Sequence, residues 1–188
     1  MRTLTRTLLL PVLLVLPLAA DEYSEALDTF KAAGQSGHFF GKCYGYALFP
    51  SIGKGGIGIG GAHGSGRVYR GGAHVGDATM NQVTIGAQFG GQAFSQIIFF
   101  EDKRAFDNFT SGNFEFGAQA TAVALTAGAS ASAGTTGATA GASGNKHKAT
   151  TASGYQGGMS VFTIAKGGLM YEATLGGQKF SYKPAGKK

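Results

Sequence analysis

The stretch Phe49 to Gly66, FPSIGKGGIGIGGAHGSG, constrains this chain more than any other. Ten of its eighteen residues are glycine, proline or alanine, and Lys54 stands alone in the middle. Each interior glycine would cost a helix about 0.5–1 kcal/mol relative to alanine, so a helix is excluded. The run reads as a flexible approach, Pro50 to Gly55, and then a glycine-rich strand, Ile57 to His63. Glycine inside a strand marks a bulge, a bend or the close approach of another backbone. The theme repeats downstream. Gly71-Gly72, Gly90-Gly91, Gly157-Gly158, Gly167-Gly168 and Gly176-Gly177 punctuate short apolar runs, the pattern of strands joined by tight turns.

Only 14% of residues are charged, against about 25% in a typical domain. Fourteen Phe and seven Tyr argue against disorder. The expectation is a compact, mainly β (α+β) domain: a curled antiparallel sheet, sandwich or barrel-like, with an N-terminal helix and one short helix near 102–111. Residues 1–20 read as a signal peptide. Arg2 and Arg6 form its positive end, Leu8 to Leu18 its apolar segment, and Ala19-Ala20 a small-residue cleavage site. The apolar run is shorter than the ~20 residues that span a bilayer. Residues 21–188 are then one domain, periplasmic or secreted, with a retained N-terminal anchor as the alternative. Cys43 is the sole cysteine, so no intramolecular disulfide forms, and it is expected to be a small buried hydrophobe. The formal charge is +6. Without Arg2 and Arg6, fourteen basic side chains face ten acidic ones, or +4, which suits an anionic surface as well as plain solubility.

Residues 22–33 place Tyr23, Ala26, Leu27, Phe30 and Ala33 at helical spacing, with Asp21 as a cap and Gly34 as the stop. Such a helix docks on its own core or lies on lipid. Arg67 to Arg70 reads as a half-buried strand with both arginines on one face. Asn81 to Gln92 is the clearest strand, Val83, Ile85, Ala87 and Phe89 alternating with Gln82, Thr84, Gly86 and Gln88. Phe94 to Phe100 is a more fully buried run. Ala105, Phe106 and Phe109 give the short helix, with an acidic first turn, and Phe114, Phe116, Ala118, Ala120 and Ala122 alternate again. Residues 126–144 contain only Thr, Ala, Gly and Ser, and 145–148, NKHK, read as an exposed basic tip. Three closing runs, Tyr155 to Ile164, Leu169 to Leu175 and Lys179 to Tyr182, are separated by double glycines.

No catalytic or cofactor motif stands up. Gly56 to Gly61 matches GxGxxG in form only, because glycine continues beyond it and no helix follows. Gly53-Lys54 lacks the Ser or Thr of a phosphate-binding loop. The histidines His38, His63, His74 and His147 have no metal-ligand spacing, no serine sits in GxSxG, and nothing nominates a carboxylate pair. The expectation is therefore a non-enzyme with no metal, no cofactor and no nucleic-acid partner. What remains is a basic set in a glycine-rich sheet, Lys42, Lys54, Arg67 and Arg70, where backbone N–H groups and cations could meet an anion. The ordinary alternative is edge-strand charge that blocks aggregation.

FPSIGKGGIGIGGAHGSGRVYRGG, followed by NQVTIGAQFGGQAFSQIIFFEDKRAFDNFTSGNFEFGAQATAVAL and the closing GGLMYEATLGGQKFSY, resembles the SYLF or Ysc84-type domain over roughly residues 25–183. The resemblance rests on an FPS-x-x-K-x-G opening, a G-x-G-G-x-x-G-x-G core and a G-A-Q strand. It implies a lipid-binding module, phosphoinositide-directed in eukaryotic members, assisted by an N-terminal amphipathic helix; some fungal members also bind actin. Carried over by position, the lysine is Lys54, and the helix is 22–33 with Tyr23, Leu27 and Phe30 as its membrane-facing side chains. Lys42, Arg67 and Arg70 join Lys54 on charge and position alone. An exported protein does not meet phosphoinositides or actin, so anionic phospholipid is the expected partner. The competing expectation is an envelope structural or assembly protein acting through protein–protein contacts.

Overall fold

The structure, a computed structural model, describes residues 21–116 and 154–186. The expected signal peptide at 1–20, the alternation at 118–122, the low-complexity run 126–144 and the expected basic tip 145–148 lie outside the described residues.

Helix α1 (Glu22–Ala32) leads through a single turn, α2 (Gly34–Gly37), into β1 (Gly45–Arg70) and β2 (Ala73–Phe100). Helix α3 (Lys103–Thr110), a short β3 (Asn113–Phe116) and a long β4 (Met159–Pro184) follow. Among the described residues the strands form one antiparallel sheet in the order β1-β2-β4-β3, which does not close on itself. The mainly β, curled, antiparallel expectation holds.

The strands are longer than expected. Only Gly71-Gly72, between paired Arg70 and Ala73, and Gly157-Gly158, between bridged Gln156 and Met159, make two-residue turns, both with the positive φ pair of a type I′ turn. Gly90-Gly91, Gly167-Gly168 and Gly176-Gly177 instead run through the middle of paired strands, so the three closing runs are one strand. Pro50 to Gly55 is likewise strand rather than flexible approach. Pro50 and Ser51 sit where the β1–β2 register slips, and proline tolerates a bulge because it has no N–H to give a ladder. The Pro50 carbonyl accepts from Ser95 Oγ at 2.7 Å.

Straight, the 26 residues of β1 would run about 85 Å. The strand doubles back on itself at Gly58 instead. Gly58 has φ +69 and faces residues 86–88 of β2; Gly86, within that stretch, and Gly90, two residues beyond it, also have positive φ. These backbone angles belong to glycine, so the bend is written into the sequence. Past the bend, Gly64 and Gly66 point inward onto the first half of the same strand. A Cβ on Gly66 would lie 2.7 Å from the Leu48 carbonyl oxygen, and one on Gly64 would lie 2.9 Å from that of Ser51. The alternating glycines thus let the second half of the strand lie directly on the backbone and on the Ile52 and Phe49 side chains of the first half.

The curl encloses Phe49, Ile52, Val68, Met80, Ile98, Phe100 and Phe180, and α3 closes it with Ala105, Phe106 and Phe109. Asp102 caps α3 by accepting from the Ala105 N–H at 2.8 Å. On the outer face, Ala26 and Phe30 of α1 and the following Ala33, with Phe39 and Phe40 of the segment before β1, cover Leu48, Ile97, Phe99, Phe162 and Ile164. The rings of Phe39, Phe40, Tyr46 and Phe162 all lie within 6.1 Å of the Phe99 ring, centroid to centroid. Cys43 is half-buried beside Phe40, and burial pushes its thiol up, as expected for an inert cysteine.

Candidate functional site

Near the bend the sheet changes character. Alternation over 81–92 correctly marks a strand, but its faces are inverted relative to a water-soluble sheet. Gln82 and Thr84 are buried, while Val83, Ile85 and Phe89 point outward. Ile57 and Ile59 of β1 do the same, and all five outward side chains are between 64% and 76% exposed. Register makes them one patch, with Ile57 opposite Phe89 and Ile59 opposite Ile85. In β4, Leu175 and Tyr171 occupy the next positions across, opposite Ile85 and Phe89. No Asp, Glu, Lys or Arg occurs in Gly55 to Gly66 of β1 or Ala78 to Phe100 of β2, and Glu172 is the one such residue in 167–178 of β4.

Beneath this patch the interior is polar. Gln96 and Gln178 exchange amide hydrogen bonds, Gln96 Nε2 donating to Gln178 Oε1 at 3.1 Å and Gln178 Nε2 to Gln96 Oε1 at 3.3 Å. Gln178 Nε2 also donates to Gln82 Oε1 at 3.4 Å. Thr84, Lys54 and Thr163 are buried as well, and the Thr163 hydroxyl has no hydrogen-bond partner among the described residues.

The four cations singled out in the sequence do not form one surface. Lys54 is only 5% exposed, because the bend turns the second half of β1 over the first, so its ammonium group is not presented to a head group as expected. Lys42 is exposed in the segment before β1. Arg67 and Arg70 fall on opposite faces rather than one. They stand three positions apart in the strand, so they point to opposite sides of the sheet. Arg70 lies 5.9 Å over the Phe106 ring on the α3 side. Arg67 lies 3.9 Å over the Tyr23 ring and 2.5 Å from Asp21 Oδ2. The Asp21 carboxylate makes no capping bond to α1; it reaches Arg67 instead. Partial burial opposes the Arg67 charge, but the hydrogen bonds to Asp21 and Tyr69 more than offset it and hold the guanidinium above its ordinary value.

The helix is docked. Phe30 is fully buried, while Tyr23 and Leu27 are half-buried against the sheet, so none of the three is free to meet a membrane in this conformation. Burial also pushes the Tyr23 hydroxyl up, against the pull of Arg67.

Two cations beside the patch were missed. Lys166 is the extra residue of a bulge, since Ala93 pairs with Gly167 and Phe94 with Ala165. The bulge aims its ammonium across the sheet to the Pro50 carbonyl at 3.2 Å and to Glu22 at 3.8 Å. Lys179 pairs with Glu115 at 3.1 Å. Together they bracket the 167–178 stretch of β4. The missed signal was the run without charge on β2, ended on β4 by single lysines.

A doubled-over glycine-rich hairpin, a polar interior layer and a bare apolar outer face define a curled β domain. The chain belongs to the Ysc84 family: the family model described as "Las17-binding protein actin regulator" matches residues 81–184, more than half of the chain. It is similar to "Beta cell expansion factor A" of Aeromonas veronii, 29% identical over 143 residues, which is 75% of this chain and 46% of that protein. The chain thus spans less than half the length of this curated relative. No solved structure matches it.

Proposed function

We propose that this domain binds a lipid bilayer surface peripherally and without catalysis, in the periplasm or outside the cell. The patch Ile57, Ile59, Val83, Ile85 and Phe89 enters the apolar layer. One observation carries the reading: around the bend the sheet is polar inside and apolar outside, the arrangement a β-structure adopts where lipid rather than water lies beyond it. An exposed apolar cluster of this kind marks an interaction surface. The net positive charge, with Lys166 and Lys179 at the flank, favours anionic head groups. The lipid-binding character implied by the resemblance points the same way.

Co-sedimentation with phosphatidylcholine vesicles, with and without phosphatidylglycerol, tests it. Each Ile or Phe moved out of water contributes on the order of 1.5–3 kcal/mol. The Ile57→Ser, Ile85→Ser, Phe89→Ser triple variant should therefore lose vesicle binding while keeping its melting temperature. Wild-type binding should be stronger to phosphatidylglycerol and weaken with salt. Unchanged binding by the triple variant overturns the proposal. A mass that rises with concentration, is lost in the triple variant and is indifferent to lipid would instead support the assembly reading, since the same bare face suits a second protein.

A further inference from the structure

We infer that α1 is an electrostatic latch over the covered part of the outer face, released when anionic lipid takes over its two cations. The inference rests on the membrane reading above and adds how the contact is regulated.

Two ion pairs hold the start of α1, and both run from the helix to the sheet. Asp21 meets Arg67 of β1, and Glu22 meets Lys166 of β4. All four groups are partly exposed, so head groups can reach them. Arg67 also stacks on Tyr23, the first apolar residue of the helix stripe. The two cations are thus shared between holding the helix and whatever anion approaches the sheet.

Their position gives the sharing a consequence. Lys166 follows Ile164, which α1 covers, and precedes the 167–178 stretch that pairs with the strand bearing Val83, Ile85 and Phe89. The latch therefore stands at the boundary between the covered apolar surface and the bare one. A phosphate that replaces Asp21 at Arg67 and Glu22 at Lys166 frees α1. Leu48, Ile97 and Ile164 then join the exposed patch, while Phe162 stays under Phe39, and the underside of α1 becomes available to the same bilayer. Water and neutral lipid offer the cations no competing anion group of net charge, so the latch stays shut in solution.

The test compares two variants of equal charge in the full chain. Asp21→Asn with Glu22→Gln removes both latch acids. Glu25→Gln with Asp28→Asn removes two acids of the same helix that form no ion pair with the sheet among the described residues; Asp28 pairs with Lys31 at 3.9 Å within the helix. Exposed ion pairs contribute about 0.2–1 kcal/mol each, so with two pairs lost the latch variant should bind phosphatidylglycerol vesicles roughly twofold to thirtyfold more tightly than the control. A Leu27→Trp reporter, in a chain with no other tryptophan, should be quenched by brominated acyl chains in anionic vesicles but not in neutral ones. Equal or weaker binding by the latch variant, or an unquenched reporter on bound protein, overturns the latch and leaves the membrane reading standing. Absence of vesicle binding by wild type and both variants overturns the two together.

Discussion

Leu48, Ile97 and Phe99 lie on the same outer face of the same two strands as Ile57, Ile85 and Phe89, yet the first three are buried and the second three are bare. The helix accounts for part of the difference. With 11 residues, α1 is about 16 Å long and covers only one end of the face. The interior accounts for the rest. Beneath the covered end the concave side is apolar, with Phe49, Ile98 and Phe100; toward the bend it carries Gln82, Thr84, Gln96 and Gln178. One sheet therefore has two chemistries along its length. The covered end is complete in itself, with apolar layers on both faces. The bare end pairs its glutamine amides inside and leaves its apolar groups for a surface that the described residues do not supply.

The sharpest way to break this comparison is to truncate one ring in each region. Phe99→Ala removes the centre of a five-ring cluster and should cost about 3–5 kcal/mol in urea denaturation. Phe89→Ala removes a ring that is mostly in water and should change stability by less than about 0.5 kcal/mol. Similar losses at the two sites would mean that the bare face is covered in solution.

A smaller effect separates the doubled-over part of β1 from its outward-facing positions. Gly66→Ala drives a methyl group against the Leu48 carbonyl and the Phe49 ring, and overpacking of this kind costs about 1–3 kcal/mol. Gly53→Ala meets nothing within 4 Å and should leave the thermal midpoint within a degree or two of wild type. If Gly66→Ala melts with Gly53→Ala, the two halves of β1 do not pack as described.

The covered end was the legible one. Helical spacing places α1 within a residue of its observed end, Ala105, Phe106 and Phe109 mark α3, and period-two alternation marks the strands. What periodicity does not carry is which face turns inward. An inverted strand has the same period as an ordinary one, so Gln82 and Val83 exchanged places without changing the pattern. Lys54 looked exposed because it is the one charge among glycines; the bend at Gly58 that buries it depends on which strand lies opposite. The double glycines were ambiguous for the same reason. A pair makes a turn at Gly71-Gly72 and a through-running strand at Gly90-Gly91, and only the partner strand decides between them.

The smallest effect is expected at high pH and sharpens the covered end alone. Tyr46 packs beneath Phe40 against Phe99 and Tyr69, and Tyr155 packs on Phe39. Burial pushes both phenols up to about 12, Tyr69 and Cys43 adding to the rise at Tyr46, and Cys43 and Glu101 at Tyr155. An unfolded chain ionises tyrosine near 10. The folded state therefore binds these protons more tightly than the unfolded state does. The stabilisation is complete below about pH 10 and is lost progressively as pH rises toward about 12, where the folded phenols ionise too. Melting temperature should consequently hold steady from neutral pH to about 10 and then fall. Tyr46→Phe has no phenol to ionise at the most buried of the two positions, so its decline over that range should be shallower than that of wild type. Parallel declines would show that Tyr46 meets water in the folded protein, and the covered end would then resemble the bare one more closely than its packing implies.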